Sequence, residues 1–265
     1  MSGLPVSVYV ITLNEEKNID RLLDQLSGFK EVIIVDSGSK DATRNIAGSY
    51  PNVKFYFRSW TGFSDQKAYA LSLCTQNWVL NLDADEELTP PYLAEMRSLL
   101  EQTEYSALES NRRLLRWGRP SNSFVKDDRL IRFFRKEHGR YEFARVHERI
   151  TVSGRVKQSD VQLLHHENLS FSERIAKSNQ YSRLKALDKL DKNRKCNPAI
   201  LVVIFQWSFL QCYLGKGYFL DGVEGLLVSM NHAFYNFMKY AKLWEYQQNS
   251  ELLSKSVLTA GGEPP

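Results

Sequence analysis

The sequence predicts an α/β fold with a doubly wound, mostly parallel sheet flanked by helices, followed by a helical C-terminal extension. The first observation is that short apolar runs alternate with helix-like patterns over roughly the first eighty residues. The second is that these runs are almost continuously apolar, as parallel strands buried on both faces are. The third is a change of character after residue 170, where basic and then apolar segments of helical length follow. With 265 residues, the chain is long enough to bury a large core.

Each predicted strand is a β-branched or aromatic run that stops at polar residues. Strands are predicted at residues 6–13, 32–35, 53–57 and 78–82, and helices at 19–26, 41–47 and 64–74. The first helix carries an apolar face: Ile19, Leu22, Leu23 and Leu26. Right-handed crossovers bring the carboxyl ends of parallel strands to one edge of the sheet. The polar residues after the strands are therefore expected to converge there.

Composition narrows the functional classes. The net charge of +4 and the pI near 8.8 suit a protein that meets phosphates or an anionic membrane surface, and they do not indicate nucleic acid as a partner. Cys74, Cys196 and Cys212 form no CxxC pair, which indicates a reducing compartment rather than disulfides or zinc. No secretory signal is recognisable, so a cytoplasmic location is expected. The absence of a Walker A loop or a GxGxxG pattern after the first strand argues against P-loop and dinucleotide-binding proteins.

The strand at 78–82 runs directly into a group of carboxylates. Asp83 and Asp85 are separated by the small Ala84, and ligands of open α/β sheets bind outside the carboxyl ends of the strands. Two carboxylates so placed can share a hard divalent cation, and Mg²⁺ or Mn²⁺ is usually held by one or two carboxylates plus substrate phosphates. The alternative is a solvated turn that leads into a helix N-terminus, where negative charge is favoured. The strand-end position favours the cation site.

Three motifs carry a family resemblance: VSVYVITLNEE, EVIIVDSGSKDAT and WVLNLDADEEL. In this order and spacing they resemble the successive nucleotide-sugar motifs of glycosyltransferase family 2, which has the GT-A fold. The resemblance implies that six residues bind a UDP-sugar donor: Asn14, Glu15, Asp36, Ser37, Lys67 and Asp83. It also implies that Asp83 and Asp85 bridge through Mn²⁺ or Mg²⁺ to the diphosphate. The alternatives are helix capping for Glu15 and Asp36, and an ordinary surface position for Lys67.

The run "RLIRFF…GRYEF…VHERI" resembles the branch of this family that builds the inner core of bacterial lipopolysaccharide, the core β-glucosyltransferases. Inversion at the anomeric carbon needs one base that deprotonates the acceptor hydroxyl, and a carboxylate can serve. Glu148 is the predicted base and Asp128 the second candidate; the alternative for Glu148 is a surface ion network with Arg145 or Arg149. Three residues are predicted to contact the acceptor: Trp117, His147 and Arg149. Trp117 suits a sugar platform or a simple edge strand.

A histidine pair at residues 165 and 166 offers a further metal ligand, because neutral imidazole binds Mn²⁺. Adjacent strand residues point to opposite faces, so only one of the two should face the site. Motif alignment favours His165, with His166 as the alternative. The competing interpretation is a structural histidine.

The C-terminal part combines a helix rich in Lys and Arg (172–190) with a nearly uncharged, aromatic one (198–214). Together they predict contact with an anionic membrane surface; the alternative is a core helix with a solvated basic neighbour. The segments YFLDG and FYNFMKYAKL are similar to the C-terminus of the same branch, so the resemblance covers nearly the whole chain. The predicted organisation is a catalytic domain at 1–170, with its nucleotide-sugar half at about 1–100 and its acceptor half at about 101–170. A helical extension at 171–258 and a disordered tail at 259–265 follow.

The sequence thus predicts an inverting, metal-dependent glycosyltransferase that moves a hexose, by resemblance glucose, from a UDP-sugar to a lipid-linked saccharide on the inner face of the plasma membrane. The implied acceptor is an inner-core heptose of lipopolysaccharide or lipooligosaccharide. One alternative is transfer to polyprenyl phosphate or another polysaccharide acceptor, against which the lack of paired transmembrane helices counts. The other is a non-catalytic membrane-associated scaffold that binds nucleotide sugars.

Overall fold

A computed structural model describes residues 3–122, 124–142, 149–167, 169–249 and 251–252. The strands are β1 (Leu4–Thr12), β2 (Phe29–Asp36), β3 (Val53–Phe57), β4 (Trp78–Asn81), β5 (Glu86–Leu88), β6 (Ala107–Arg116), β7 (Arg119–Pro120), β8 (Asp128–Arg135), β9 (Gly139–Glu142), β10 (Arg149–Val152) and β11 (Val156–Glu167). The helices are α1 (Ile19–Leu26), α2 (Thr43–Ala47), α3 (Phe63–Leu73), α4 (Pro90–Leu100), α5 (Phe171–Asp191), α6 (Pro198–Leu210) and α7 (Gly222–Gln248). Chain contacts divide it into two compact units, one of residues up to 118 and 127–167, the other of residues 119–126 and those from 168 onward.

The first unit is built on one sheet with the strand order β3-β2-β1-β4-β8-β6-β11-β5. The first four strands are parallel, which confirms the predicted βα alternation. The second half is mixed, because β8 runs antiparallel to both β4 and β6, and β5 runs antiparallel to β11. The strand order reverses between β1 and β4, so a topological switch point lies at their carboxyl ends. β9 and β10 form a separate antiparallel pair.

Apolar residues cover both faces of this sheet, which explains why its strands are nearly continuous apolar runs. On one face the α1 residues predicted to share an apolar side, Ile19, Leu22, Leu23 and Leu26, are fully enclosed. On the same face the Trp78 and Phe133 rings stack with centroids 4.5 Å apart, which joins β4 to β8. The parallel and antiparallel halves of the sheet therefore share one core.

A buried carboxylate, Glu31, ties strand starts together at the edge opposite the acidic residues. It accepts hydrogen bonds from the Ser7 hydroxyl, the Thr75 backbone N–H at 2.9 Å and the Lys54 ammonium at 2.7 Å. Burial raises the pKa of this carboxyl, but the hydrogen bonds from Lys54, Ser7 and Thr75 outweigh that effect and lower it to about 2. Glu31 is therefore ionised, and in this form it holds the turn between α3 and β4 through Thr75.

The second unit is helical, as predicted, and its helices begin at well-formed caps. Ser170 and Glu173 form a reciprocal capping box at the start of α5, and Asn197 caps α6 just before a proline in its first turn. Residues 211–215 continue α6 as a π-helical turn, and a 3₁₀ turn at Tyr218–Asp221 leads into α7. α7 packs against both α5 and α6. The tail predicted to be disordered at 259–265 lies outside the described residues, and the predicted boundary near residue 170 stays a prediction.

Candidate active site

The loops that follow β1 and β2 are joined by hydrogen bonds at the carboxyl edge of the sheet. The Asn14 backbone N–H donates to the Ser39 hydroxyl at 2.7 Å, and the Lys40 N–H donates to the Asn14 side-chain oxygen at 2.9 Å. Asn14 has φ of +55°, a left-handed conformation that asparagine adopts more readily than most residues. The two loops therefore form one rim, as the crossover rule predicts.

Glu15 lies half-buried in this rim. Its backbone N–H donates to the Thr43 hydroxyl at 2.8 Å, and its carboxylate accepts from the Asn18 amide at 2.8 Å. Burial raises the pKa of Glu15 to about 6, and the negative charges of Asp85 and Asp83 add to the effect. Glu15 is thus electrostatically coupled to the carboxylates after β4, although about seventy residues separate them in sequence.

The carboxylate of Asp36, at the end of β2, is fully hydrogen-bonded by its own loop and by Thr12 of β1. One carboxylate oxygen accepts from the Gly38 and Ser39 backbone N–H groups at 2.9 and 2.8 Å; the other accepts from the Thr12 and Ser39 hydroxyls. A carboxylate has about four lone-pair sites, and all four are occupied here. Asp36 therefore organises the rim, and its predicted contact with the nucleoside stays a prediction. The neighbouring Ser37 hydroxyl accepts from the Gln66 amide at 3.0 Å.

Asp83 is held between two cations. One of its oxygens accepts from the Lys67 ammonium at 2.9 Å and the other from the Arg132 guanidinium at 2.5 Å. Lys67 is only 2% exposed, which excludes the ordinary surface position weighed for it. Burial on its own would raise the pKa of Asp83, but the charges of Arg132 and Lys67 hold it well below its usual range. Asp83 stays ionised and positions both cations.

Arg132 reaches this position because of a β-bulge. In the register between β6 and β8, Leu108 faces Phe133 and Glu109 faces Ile131, so Arg132 has no partner in β6. A bulge re-aims one side chain and bends the strand. The freed guanidinium donates to Asn81 at 2.8 Å and to the fully buried Glu86 at 2.5 Å, besides Asp83.

Glu86 is the second acid around Arg132. Its other oxygen accepts the Asp83 backbone N–H at 3.0 Å, which closes the turn between β4 and β5. Burial and the charge of Asp83 raise its pKa, although Arg132 acts in the opposite direction. The two acids share one guanidinium, and Glu86 is the one whose charge the site disfavours.

Asp85 points to a histidine instead. The pairing of β5 with β11 sets His165 opposite Glu86 and brings the Asp85 carboxylate within 3.0 Å of His165 Nε2. The adjacent His166 faces the other way and lies 2.7 Å from the Glu87 carboxylate. The two histidines therefore point to different partners, as strand alternation predicts. Of the two, His165 is the one that lies beside the DxD pair.

The residues at this point suit a divalent cation that also binds a diphosphate. Within the part of the chain that the structure describes, no three His, Cys, Asp or Glu side chains gather into a ready-made metal site. Asp85 and His165 supply two ligands of the types that Mn²⁺ accepts, and Mg²⁺ or Mn²⁺ commonly takes its remaining ligands from phosphates and water. Asp83 is engaged by cations on both oxygens, whereas Asp85 and His165 lie side by side with each other as partner. Metal binding by Asp83, Asp85 and His165 stays a prediction.

The remaining predicted site residues are Trp117, Asp128, Glu148, His147 and Arg149. Trp117 stands at the turn after β6 with φ of +47°, a rare conformation for so large a side chain. Asp128 is 68% exposed and pairs with Arg112 at 3.0 Å. Glu148 and His147 lie outside the described residues. The backbone of Arg149 opens β10, while its side chain lies outside the description.

Sequence reasoning missed Arg132 and Glu86. In the sequence, Arg132 stands out only as part of the run RLIRFF, and Glu86 only as one more acid in WVLNLDADEEL. A signal did exist: Arg132 is followed by two buried phenylalanines, so a strict alternation of inward and outward residues breaks at this point. That break marks the bulge.

The mixed sheet, its flanking helices and the acidic rim at the switch point define a GT-A-type fold. The family model "Glycosyl transferase family 2" matches residues 7–155, more than half of the chain. The chain therefore belongs to glycosyltransferase family 2, and it is a glycosyltransferase.

Related proteins match this chain along nearly the full length of both sequences. The lipopolysaccharide core biosynthesis glycosyltransferase LpsC of Rhizobium meliloti is 33% identical over 252 residues, which cover 91% of this chain and 93% of that protein. An uncharacterized glycosyltransferase of Rickettsia typhi is 30% identical over 261 residues, a match that spans 92% of this chain and 88% of that protein. Among solved structures, glucosyl-3-phosphoglycerate synthase of Mycobacterium tuberculosis with Mn²⁺, UDP and glucosyl-3-phosphoglycerate has a TM-score of 0.36 and 23% identity over 41% of this chain and 44% of that one.

Proposed function

We propose that this glycosyltransferase moves a hexose, with glucose as the first candidate, from a UDP-sugar to an inner-core heptose of lipopolysaccharide or lipooligosaccharide, with inversion and with Mn²⁺ or Mg²⁺. The observation that carries the metal-dependent part is the Asp85–His165 pair, 3.0 Å apart beside the buried Asp83 cluster. The core acceptor is supported by the similarity to LpsC over most of both chains. A cytoplasmic, membrane-peripheral location is part of the same proposal.

The donor would lie along the rim at the carboxyl ends of β1, β2 and β4. Glu15 would accept a hydrogen bond from the nucleoside, and it is ionised above about pH 6. Asp36, Ser37 and Asn14 shape this rim through their mutual hydrogen bonds. In this arrangement the rim is built before the donor binds, which limits the ordering that binding must enforce.

A divalent ion held by Asp85 and His165 would supply a Lewis acid for the leaving diphosphate. Lys67 is fixed by Asp83, so its ammonium needs no reorganisation when charge develops nearby. Glu148 would take the proton of the acceptor hydroxyl, with Asp128 as the second candidate. Trp117, His147 and Arg149 would contact the acceptor sugar.

The test is UDP release from a panel of UDP-sugars, with and without Mn²⁺, using heptose-terminated lipopolysaccharide core as acceptor. We expect acceptor-stimulated release from one sugar, abolished by EDTA. Asp85→Asn and Glu148→Gln should each lower turnover by about 10²–10⁴-fold with the near-UV circular dichroism unchanged. Near-normal turnover of Glu148→Gln would refute the base assignment. Folded protein that binds UDP but releases none with any sugar would favour a different acceptor, such as polyprenyl phosphate, or the scaffold.

A further inference from the structure

The stretch from α6 to the first half of α7 exposes many of its large apolar side chains and buries several small residues. On α6 and the turn that continues it, the exposed large apolar residues are the adjacent pair Val202 and Val203, followed at spacings of three or four by Trp207, Leu210 and Leu214. The buried positions of the same stretch are Ser208 and Cys212. A helix of a water-soluble domain shows the opposite arrangement, with its apolar stripe facing the core.

α7 repeats the pattern. Its exposed stripe consists of Val223, Leu226, Met230 and Phe234. Its buried positions include the small residues Gly225, Ser229 and Ala233, spaced four apart. A Cβ atom on Gly225 would lie 1.8 Å from the Tyr218 carbonyl oxygen, so only glycine permits this approach. Helices that associate through small residues and turn large apolar ones outward are typical of a lipid environment.

The exposed apolar residues are concentrated in one stretch of the chain. Of the seventeen large hydrophobic side chains exposed in the described residues, eleven lie between positions 202 and 234. Trp207 is 65% exposed and Val223 is 73% exposed. Single exposed apolar residues are normal on a protein surface, whereas a cluster of this kind marks an interaction surface.

The charges around the exposed apolar surface of α6 and α7 indicate which partner covers it. The stretch Pro198–Gly215 contains no Asp, Glu, Lys or Arg and meets the length and hydropathy criteria for a membrane span, with only 11% of it buried. Exposed cations stand just before it, at Lys192, Arg194 and Lys195, and Lys216 follows it. An apolar face bordered by cations matches a bilayer with anionic headgroups. A second copy of this chain would bring the same cations together.

α6 and α7 form a helical hairpin, and the turn between them (residues 211–221) is hydrogen-bonded to a polar segment. The Asn122 side-chain amide donates to the Gly217 carbonyl oxygen and to the Asp221 carboxylate, each at 3.0 Å, and Val125 packs beside Cys212. Residues 119–126 belong to the same compact unit as this turn and include Arg119, Asn122 and Lys126, a polar segment that could not follow the turn through a hydrocarbon interior. The hairpin must therefore lie on one leaflet rather than cross the membrane.

We propose that the α6–α7 hairpin is a monotopic membrane anchor that inserts its exposed apolar stripes into the outer hydrocarbon of one anionic leaflet, with Lys192, Arg194 and Lys195 on the headgroups. The inference rests on the proposed function only in that a lipid-linked acceptor is presented at this same leaflet. The anchor would convert a search through the cytoplasm for the acceptor into a search along a surface. It would also keep the donor, which is soluble, accessible from the aqueous side.

The first experiment is flotation of the full-length protein with vesicles of phosphatidylethanolamine and phosphatidylglycerol, compared with vesicles of phosphatidylcholine alone. The wild-type protein should float with the anionic vesicles. The triple variant Val203→Gln/Trp207→Gln/Leu210→Gln should partition at least about 100-fold less, from roughly five- to tenfold for each of the three inserted side chains. Phe171→Gln, an exposed apolar residue outside both stripes, is the matched control and should float like the wild type.

The cationic border is tested separately with Lys192→Gln/Arg194→Gln/Lys195→Gln. This variant should lose the preference for anionic over neutral vesicles, about fivefold per charge, and its residual binding should no longer weaken with salt. Equal flotation of the wild-type protein and both triple variants would overturn the proposal. A shift from dimer to monomer in sedimentation of the apolar triple variant, with no wild-type flotation, would assign the face to self-association instead.

Turnover on a delipidated core oligosaccharide separates this inference from the proposed function. The apolar triple variant should keep wild-type turnover on that soluble acceptor and lose it selectively on acceptor embedded in vesicles. Flotation without turnover on any acceptor would refute the proposed function and leave the anchor intact. Turnover without flotation would refute the anchor alone.

Discussion

Arg132→Met should be the most destabilising single change at the candidate site. Arg132 is 8% exposed, and its guanidinium donates to Asn81, Asp83 and Glu86. Methionine keeps much of the volume and removes the charge. Asp83 would retain Lys67, whereas Glu86 would keep only Arg112, whose nearest nitrogen is 3.7 Å away. Removing one partner of a buried ion pair costs about 3–5 kcal/mol, because the remaining charge stays buried.

Glu86→Gln should behave differently, although it removes a partner from the same cluster. The pKa of Glu86 is raised by burial and by Asp83, so folding disfavours its charged form. A neutral amide of the same shape relieves that repulsion and can still accept the Asp83 N–H. We expect a loss of about 1 kcal/mol or less. In the double variant Arg132→Met/Glu86→Gln one stranded charge is gone, so it should be more stable than Arg132→Met alone.

The assay is urea unfolding at pH 7, followed by near-UV circular dichroism, for the two single variants and the double variant. Arg129→Met is the matched control in the same strand: its ion pairs with Glu109 and Asp160 are at the surface, so about 1 kcal/mol or less should be lost. The reasoning is wrong if Arg132→Met costs no more than Arg129→Met. It is also wrong if the double variant shows the simple sum of the single losses, because the charges would then not be coupled.

Three further outcomes follow from the same geometry. His165→Ala should weaken Mn²⁺ activation of turnover at least about tenfold while His166→Ala leaves it near normal; equal effects in a metal titration would exclude His165 as the ligand. The pKa of Glu31 is lowered to about 2 from an ordinary 4.5, so Glu31 adds stability above pH 4.5 that is lost as the pH falls toward 2. Glu31→Gln should remove about 3 kcal/mol of this pH dependence of the unfolding free energy, measured by urea titration at several pH values. An unchanged pH profile would contradict this prediction. Because the pKa of Glu15 is raised to about 6, the dissociation constant of UDP-glucose, whose diphosphate does not titrate in this range, should rise about tenfold per pH unit below 6 in calorimetry and vary less with pH in Glu15→Gln. A wild-type profile without this rise would rule out an ionised Glu15 as the nucleoside contact.

Local pattern was enough for the elements of the first unit. The apolar runs at 53–57 and 78–82 became β3 and β4 within one residue, because strand burial and helix amphipathicity are written in the spacing of apolar residues. The convergence of the acidic loops also followed, since crossover handedness is a general rule that needs no coordinates. The three family motifs added the class of enzyme.

Pairing between distant strands lay beyond the sequence. Register across the sheet decides three contacts of the site. It buries Lys67 against Asp83, it lets the loop after β2 hydrogen-bond the Asp36 carboxylate, and it brings His165 to Asp85. Register is set by many side chains at once, and a one-residue bulge at Arg132 redirects a charge with no change in local composition. The reversed burial of α6 is of the same kind, because hydropathy reports how apolar a helix is but not which face its neighbours cover. The sequence by itself determined the fold class, the family and the acids of the rim; only the tertiary structure decided which charges pair and which apolar faces stay open, because both depend on contacts between segments far apart in the chain.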